Sequence, residues 1–256
     1  MLKIRAKRQK IRLMILVVSL LLFPVVLNYL SPYVIIMAAS EGVVNGSMLL
    51  FGVLFVGALV FGRGWCAWVC PAAGIGEICA AVQPKPVGKK ARWSKWIIWV
   101  IWLMIIGAFV ISAGGYKRVE PLFLTEEIVS VTMPQQYIIY YFVLTTIVVL
   151  SLTVGRRGFC HTTCWMAPFM IIGRKISNWL RLPGLRLHVN AQQCTDCEVC
   201  TRNCPMSLDV HGMVKAENME HVDCILCGQC ADGCSKDVIY YTFAQPQKIG
   251  EEVPRK

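Results

Sequence analysis

Two runs of four cysteines carry the most specific chemistry in this sequence. Cys194, Cys197, Cys200 and Cys204 are spaced C-x2-C-x2-C-x3-C, and Cys224, Cys227, Cys230 and Cys234 repeat that spacing 30 residues later. Such spacing lets three thiolates wrap one corner of an iron–sulphur cubane, whereas zinc takes its cysteines as two pairs per ion. The runs therefore predict two [4Fe–4S] clusters and not structural zinc.

The two runs have the spacing of bacterial two-cluster ferredoxins, in which the fourth cysteine of each run ligates the other cluster. This rule assigns one cluster to Cys194, Cys197, Cys200 and Cys234. It assigns the other to Cys204, Cys224, Cys227 and Cys230. Around the clusters we expect a small α+β ferredoxin-like domain over 183–244, with outer strands at 186–190 and 238–243. A flexible tail is expected over 245–256.

A second cysteine pattern occurs twice, 94 residues apart. Arg63-Gly-Trp-Cys66 with Cys70 matches Arg157-Gly-Phe-Cys160 with Cys164, and each copy follows a pair of apolar segments. Two such units around a pseudo-twofold axis bring these four thiols to one depth. They are then ligands of a third iron–sulphur cluster, a redox dithiol pair, a soft Cu(I) site, or small packing residues. Cys79 has no counterpart in the repeat and is expected to be a buried thiol.

The composition indicates a membrane protein. Of the 256 residues, 56% are hydrophobic and 16% charged, and the mean hydropathy is +0.55, which argues against a disordered chain and an ordinary soluble enzyme. Four apolar runs approach the roughly 20 residues that span a bilayer. They lie at 11–30, 43–61, 96–113 and 137–154, and Pro24 is expected to bend the first. These runs predict an α-helical polytopic domain over 1–182, with four spans in two repeated hairpins.

Charge gives the expected orientation. Lys and Arg concentrate in the N-terminal arm, in 63–95 and in 156–181, whereas the opposite loops hold only Lys117 and Arg118. The positive-inside rule therefore places both termini in the cytoplasm and the protein in the cytoplasmic (inner) membrane. Residues 1–193 carry a net +15 and residues 194–256 a net −4, which is not the pattern of a nucleic-acid binder. The ferredoxin-like domain over 183–244, which we call the head, is acidic. It is expected to dock onto the basic membrane domain or onto a basic partner.

Two further expectations concern haem and one connecting segment. Haem is not expected, because His161, His188, His211 and His221 lie outside the spans and no C-x-x-C-H sequence occurs. The basic and apolar segment 169–182 is expected to be an interfacial helix on anionic lipid or a plain connecting helix.

Together these features resemble the NapH and NosR group of membrane ferredoxin-type proteins, with MauN and CcoG as relatives. The resemblance covers residues 11–244 and rests on the four spans, two R-G-[WF]-C-x3-C motifs and the two cysteine runs. It implies an electron-transfer subunit of a quinol dehydrogenase or reductase system, linked to quinone or quinol and to other electron-transfer or reductase subunits. In that group Pro follows C-x3-C; Pro71 keeps this feature and Trp165 departs from it.

Two functions follow. The first is electron transfer by a membrane-anchored iron–sulphur protein between the quinone pool or a cytoplasmic donor and a partner oxidoreductase, with the direction of flow open. The second is an assembly or maturation factor that handles copper or a metalloenzyme, as in CcoG or MauN. It is suggested by the soft donors Cys160, Cys164, Met166 and Met170.

Overall fold

The first repeat unit consists of helices and one short strand. A computed structural model describes residues 2–88, 90–125 and 129–246 of the chain. Within them the first unit contains α1 (Leu2–Leu21), α2 (Phe23–Val26), α3 (Pro32–Ser40), β1 (Val43–Asn45), α4 (Gly46–Phe61), α5 (Gly64–Trp68) and α6 (Pro71–Val82), with a 3-10 turn at Asn28–Leu30.

The second unit repeats this order of elements in a simpler form. It contains α7 (Ser94–Ser112), β2 (Arg118–Glu120), α8 (Pro134–Thr153), α9 (Gly158–Thr162) and α10 (Met166–Trp179), with a 3-10 turn at Lys90–Trp93. In each unit two longer helices precede a five-residue helix that carries the first cysteine of the C-x3-C motif. A further helix follows the motif.

The helix after each motif packs on the opposite unit, α6 against α8 and α10 against α4. α6 also lies against α1 of its own unit. Small side chains allow this close approach: a Cβ on Gly173 of α10 would come within 2.8 Å of the Phe55 carbonyl oxygen, and Ser177 donates a hydrogen bond to the Leu59 carbonyl. The two units are thereby interlocked, and both motifs lie at the same end of the helices.

The segment 169–182, expected as an interfacial or a plain connecting helix, has one buried and one exposed face. Met170, Ile171 and Ser177 are buried by the packing on α4. Lys175, Trp179, Leu180 and Arg181 are exposed. Both expected arrangements stay predictions.

Two of the four expected spans are long, apolar helices. Ala91–Ser112 and Pro134–Thr153 have the length and apolar composition to cross a membrane, and only 17% and 11% of their most apolar windows are buried. The expected span 43–61 is shorter, because β1 precedes the 16-residue α4. The expected span 11–30 is interrupted after Leu21, and Pro24 lies in the first turn of α2.

The head is a small α+β unit. β3 (Gly184–Val189) pairs antiparallel with β4 (Ile239–Ala244), with Gly184 opposite Ala244 and Val189 opposite Ile239. Between the strands lie a 3-10 turn at Ala191–Gln193 and three short helices, α11 (Val199–Arg202), α12 (Val210–Lys215) and α13 (Gln229–Asp232). The strands lie within two residues of their expected positions. From residue 247 onward, the expected tail is outside the described residues.

The head docks onto the helical units through a shared core. Ala58, Cys66 and Met170 of the helical units pack in one hydrophobic cluster with Leu187, Met206 and Ile225 of the head. Acidic head residues meet basic residues of the helical units around this core, as in the pairs Asp232–Arg8, Asp223–Arg63 and Glu220–Arg174. This is the first of the two docking arrangements expected from the charge distribution.

Candidate functional site

Four cysteines from both runs line a buried cavity in the head, which we call the inner cavity. They are Cys204, Cys224, Cys227 and Cys230. The rest of the wall is largely apolar and includes Leu187, Leu208 and Ile225. Cys227 is 7% exposed and Cys230 8%, so water is largely excluded. The grouping of Cys204 with three cysteines of the second run is the crossed arrangement that the spacing predicts.

The other four cysteines of the runs line a second cavity, the outer cavity. They are Cys194, Cys197, Cys200 and Cys234. Val199, Val214 and Ile239 contribute apolar wall, but Cys197 is exposed. The outer cavity therefore approaches the surface of the head, whereas the inner cavity lies inside the head, next to the core that the head shares with the helices.

The same backbone turn shapes both cysteine runs. Asp196 and Glu198 in the first run and Leu226 and Gly228 in the second have positive φ angles between 52° and 75°. Left-handed backbone costs a non-glycine residue about 1–2 kcal/mol, so the turn is maintained by the surrounding structure. Its effect is to aim backbone N–H groups at sulphur, from Val199 to Cys197 and from Gln229 to Cys227.

Both donor sets fit iron–sulphur clusters. Burial raises the pKa of the Cys224 thiol to about 12, against the opposing effect of the Leu226 N–H group. A thiol of this kind is a thiolate only when a bound cation holds it deprotonated. Four converging thiols, an apolar wall and N–H donors to sulphur match what a [4Fe–4S] cluster requires.

The four cysteines of the C-x3-C motifs also come together, and we call them the thiol quartet. Its members are Cys66, Cys70, Cys160 and Cys164, three of them buried. Burial raises the pKa of Cys164 to about 12, and the nearby Cys160 and Cys66 raise it as well. The pKa of Cys70 is raised by burial and then by the other three thiols. Each thiol thus lies within electrostatic reach of the others.

Helix ends contribute polar contacts to the quartet. Cys70 is the N-cap residue of the 12-residue α6, and the Ala73 N–H group donates to the Cys70 carbonyl oxygen at 3.0 Å. This N–H group also lowers the pKa of the Cys70 thiol, against the larger effect of burial. In the second unit the Ala167 N–H group of α10 lowers the pKa of Cys164 in the same way. α6 and α10 therefore have their positive N-terminal ends near thiols, which favours thiolate over thiol.

Two repeat-related arginines flank the quartet. Arg63 is 2% exposed and donates from Nη1 to Asp223 Oδ1 at 3.1 Å. Arg157 is 1% exposed, donates from Nη1 to the Cys66 carbonyl oxygen at 3.1 Å, and pairs with Glu77. Among the described residues, neither Nε atom has a hydrogen-bond partner.

Hydrogen bonds join the quartet to the inner cavity. Trp68, which lies between Cys66 and Cys70 in sequence, donates to the Leu226 carbonyl oxygen at 3.3 Å. Gln9 of α1 donates to the Cys227 carbonyl oxygen at 3.0 Å. Cys66 itself packs in the core that contains Cys204, Cys227 and Cys230. The quartet, the inner cavity and the outer cavity thus form a sequence from the helices to the surface of the head.

Sequence reasoning did not find the counter-ions of the site. Glu77 is the only acidic residue between positions 42 and 119. A single carboxylate in an apolar helix could have indicated a buried ion pair. It binds both Arg12 and Arg157. Asp223 directly precedes the cluster ligand Cys224, and nothing in its local sequence indicates that it pairs with Arg63 and Lys95.

Some of the remaining methionine, cysteine and histidine residues lie at the site, and others are buried elsewhere in the fold. Met170 places its Sδ 3.5 Å from Cys66 Sγ, whereas Met166 packs in another core with Cys164. Cys79 is buried in α6, as expected, in the core that also contains Cys164. Burial raises the pKa of its thiol, with no effect from the quartet thiols. His161 is fully buried, and neither ring nitrogen has a partner among the described residues. Cys194, Asp196 and His211 form a triad of metal-type donors, which belongs to the outer cavity.

Comparison with known domain families matches both cysteine patterns to iron–sulphur domains. The "4Fe-4S dicluster domain" family matches residues 193–239, which contain the two cysteine runs. The "4Fe-4S binding domain" family matches residues 46–90 and 137–183, one match for each repeat unit with its C-x3-C motif. The protein is thus a mostly helical chain with ferredoxin-type 4Fe-4S domains.

Three curated proteins are similar to the chain at 21% identity. "Putative electron transport protein YccM" of Escherichia coli (strain K12) aligns over 212 residues, which are 79% of this chain and 57% of the relative. Two uncharacterized proteins of Methanocaldococcus jannaschii, MJ0750 and MJ0749, align over 75% and 72% of this chain, and over 77% and 66% of their own lengths. The chain therefore spans little more than half of YccM. No solved structure matches the chain significantly.

Proposed function

We propose that this protein is a membrane-anchored iron–sulphur electron-transfer protein. The observation that carries the proposal is the continuous buried path from the thiol quartet to the inner cavity, with the outer cavity beyond it near the surface. The ligands of the two head clusters are Cys194, Cys197, Cys200 and Cys234, and Cys204, Cys224, Cys227 and Cys230. The quartet holds a third iron–sulphur centre. The printed name of YccM, a putative electron transport protein, supports the same class of function.

The protein supplies three things to such a path. A [4Fe–4S] cluster exchanges single electrons, and its potential depends on charge, hydrogen bonds and solvent exposure. The apolar wall of the inner cavity excludes water, N–H groups support the sulphur ligands, and exposed Cys197 brings the outer cluster within reach of a partner in solution. Docking of the head keeps the inner cluster next to the quartet.

We further propose that α1, α4, α7 and α8 cross the membrane, with both termini in the cytoplasm. Outward-facing apolar side chains on α7 and α8, such as Ile97, Met104, Ile138 and Phe142, support a lipid environment for these helices. The basic residues that hold the head lie at the same end as the quartet, in accordance with the positive-inside rule.

We also propose a NapH-like role at the quinone pool, with electron exchange with a partner oxidoreductase. The support is the resemblance of the spans, the repeated motifs and the cysteine runs. A test is to incorporate the purified protein into liposomes with a quinol and to follow the EPR signals of the clusters. Cluster reduction by quinol, or reoxidation by quinone, supports the quinone link, and absence of both contradicts it.

The decisive experiment for the electron-transfer proposal is an iron and acid-labile sulphide assay with EPR on anaerobically purified protein. Two head clusters hold about eight irons. We expect more than eight in the wild type and about eight in the Cys66→Ser/Cys160→Ser double variant. Cys79→Ser is the matched control, because that buried thiol lies outside the quartet, and it should retain the wild-type content. About eight irons in all three proteins would contradict a centre at the quartet, and a wild type without clusters would overturn electron transfer.

One contact favours the second function, metal handling for a metalloenzyme. The 3.5 Å approach of Met170 Sδ to Cys66 Sγ is a thioether–thiol donor pair of the type that soft Cu(I) prefers. On this proposal iron-free protein binds Cu(I) stoichiometrically, and Met170→Leu weakens binding. Exposed Met104 provides the control variant, Met104→Leu. Equal affinity in both variants would remove the structural support for copper handling.

A further inference from the structure

We propose that Arg63 and Arg157 are paired positioning residues, whose free Nε–H groups donate to the anionic centre held by the thiol quartet and raise its reduction potential. The proposal rests on the proposed function, since it takes the quartet to hold a redox centre. It adds which residues of this chain set the properties of that centre.

The two arginines occupy equivalent places in the repeat. Each lies three residues before the first cysteine of its motif, and each is almost completely buried. Each uses terminal Nη atoms for an ion pair, Arg63 with Asp223 and Arg157 with Glu77. In both, the Nε–H group is buried and has no partner among the described residues. A buried N–H donor without an acceptor costs about 1–3 kcal/mol, so two equivalent ones indicate an acceptor at the quartet.

Both arginines contact the first motif of the quartet. The Cys66 N–H group donates to the Arg63 carbonyl oxygen at 3.0 Å, and Arg157 Nη1 donates to the Cys66 carbonyl oxygen at 3.1 Å. The electrostatic effects agree with these contacts. Burial lowers the pKa of Arg63, but Cys66, Asp223, Cys164 and Cys160 raise it above the ordinary value in that order. Burial likewise lowers the pKa of Arg157, and Glu77, Cys160 and Cys227 raise it. Arg63 therefore faces the quartet, whereas Arg157 stands between the quartet and the inner cavity.

The two groups of ion pairs beside the quartet each have a net positive charge. Glu77 is shared by Arg12 and Arg157, and Asp223 is shared by Arg63, Lys95 and, at 3.8 Å, Arg92. The Glu77 group thus contains one more cation than carboxylate, and the Asp223 group contains two more. An uncompensated buried cation is expensive, but a thiolate-ligated iron–sulphur centre carries net negative charge and would balance it.

The backbone supports a specific placement of Arg157. Its φ of 52° lies in the left-handed region, which a non-glycine residue adopts only under constraint from its surroundings. Gly76 of α6 leaves room for the side chain, since a Cβ there would lie 3.1 Å from Arg157 Cγ. Both features direct the guanidinium into the space between the quartet and the head.

A cation and a hydrogen bond at this place have a defined electrochemical effect. Reduction adds a negative charge to the centre, so a nearby guanidinium stabilises the reduced form more than the oxidised form. Hydrogen bonds to sulphur act in the same direction. Removing either arginine should therefore lower the reduction potential of the quartet centre. Removing Arg157 should also lower that of the inner cluster, because its charge acts on Cys227.

The test is an EPR-monitored redox titration of the full chain in detergent, with iron and sulphide assayed on the same samples. The variants are Arg63→Gln, Arg157→Gln, Arg63→Lys and Arg157→Lys. We expect the midpoint potential of the quartet centre to fall in both Gln variants and to fall less in the Lys variants, which retain the charge. Arg186→Gln is the control, because Arg186 is equally buried and pairs with Glu220 away from the quartet. It should lower thermal stability without moving that potential.

Unchanged potentials in Gln variants with full iron content would overturn the proposal. If a Gln variant loses the centre, the corresponding Lys variant decides: a lowered potential supports the proposal and an unchanged one overturns it. A wild type with only about eight irons overturns the quartet centre itself, and this result is distinct from a failure of the arginine proposal alone.

Discussion

The Arg63 guanidinium and the Asp223 carboxylate form a buried ion pair of 3.1 Å between residues 160 positions apart in sequence. Lys95 donates to the same carboxylate oxygen. Asp223 directly precedes Cys224, so this pair fastens a ligand loop of the inner cavity to the start of the first C-x3-C motif. The relative placement of quartet and head depends on contacts of this kind.

Asp223→Asn should remove the ion pairs that hold the ligand loop of the inner cavity against the first C-x3-C motif, and should lower the stability of the protein. The substitution leaves Arg63 and Lys95 buried without their counter-charge, and breaking a buried pair in this way costs about 3–5 kcal/mol. Thermal unfolding of the detergent-solubilised protein measures the loss. Glu41→Gln is the control, because it removes an exposed pair with Arg118 that contributes about 0–1 kcal/mol. Equal losses in the two variants would contradict the role assigned to Asp223.

Gly158→Ala and Gly64→Ala should differ although the glycines are equivalent in the repeat. A Cβ on Gly158 would lie 2.1 Å from the Leu150 carbonyl oxygen, whereas one on Gly64 meets nothing closer than Phe61 Cβ at 3.9 Å. Overpacking of this kind costs about 1–3 kcal/mol or more, so Gly158→Ala should unfold at a lower temperature. Gly64→Ala should be neutral or stabilising by about 0.5–1 kcal/mol, since alanine is the better helix residue. Similar unfolding temperatures would argue against the close approach at Gly158.

The outer cluster should be lost before the inner one. Cys197 is exposed, whereas Cys227 and Cys230 are buried in the core that the head shares with the helices. Treatment with a mild oxidant and EDTA should release about four irons quickly and the others slowly. EPR at each time point shows which signal disappears. Simultaneous loss of both head signals would contradict the difference in burial.

Acid should weaken docking of the head partly through Glu220. Burial alone raises the pKa of Glu220, but Arg174 and Arg186 oppose burial and hold the pKa below its ordinary value. The stability that this carboxylate contributes is therefore present above its unfolded-state pKa of about 4.3. It is lost as pH falls through the lower folded-state pKa.

Unfolding temperatures of wild type and Glu220→Gln should thus differ at pH 7, begin to converge below about pH 4.3 and meet below the folded-state pKa. Glu120→Gln, which alters an exposed pair with Arg118, provides a control whose curve should follow the wild type throughout. A constant difference between wild type and Glu220→Gln down to pH 3 would contradict the lowered pKa.

The sequence predicted helices and cysteine motifs well where the prediction depends on one continuous segment of the chain. The apolar runs 96–113 and 137–154 became helices Ser94–Ser112 and Pro134–Thr153, because their lengths and compositions are properties of the runs themselves. The cysteine spacing predicted iron–sulphur domains for the same reason, and family comparison supports them. The shorter α4 differs from its expected span because β1 pairs with β2, a partner 75 residues away.

The sequence by itself determined the chemistry of this protein: thiol ligands at iron–sulphur spacing, a repeated motif and apolar helices. Only the tertiary structure decided how these parts are joined. It placed α6 on α8 and α10 on α4, brought Glu77 and Asp223 to the repeat arginines, and seated the inner cavity against Cys66. The physical reason is that ligand spacing and hydropathy are local along the chain. Buried ion pairs and interlocked helices depend on residues far apart in sequence, whose meeting is settled by packing of the whole fold.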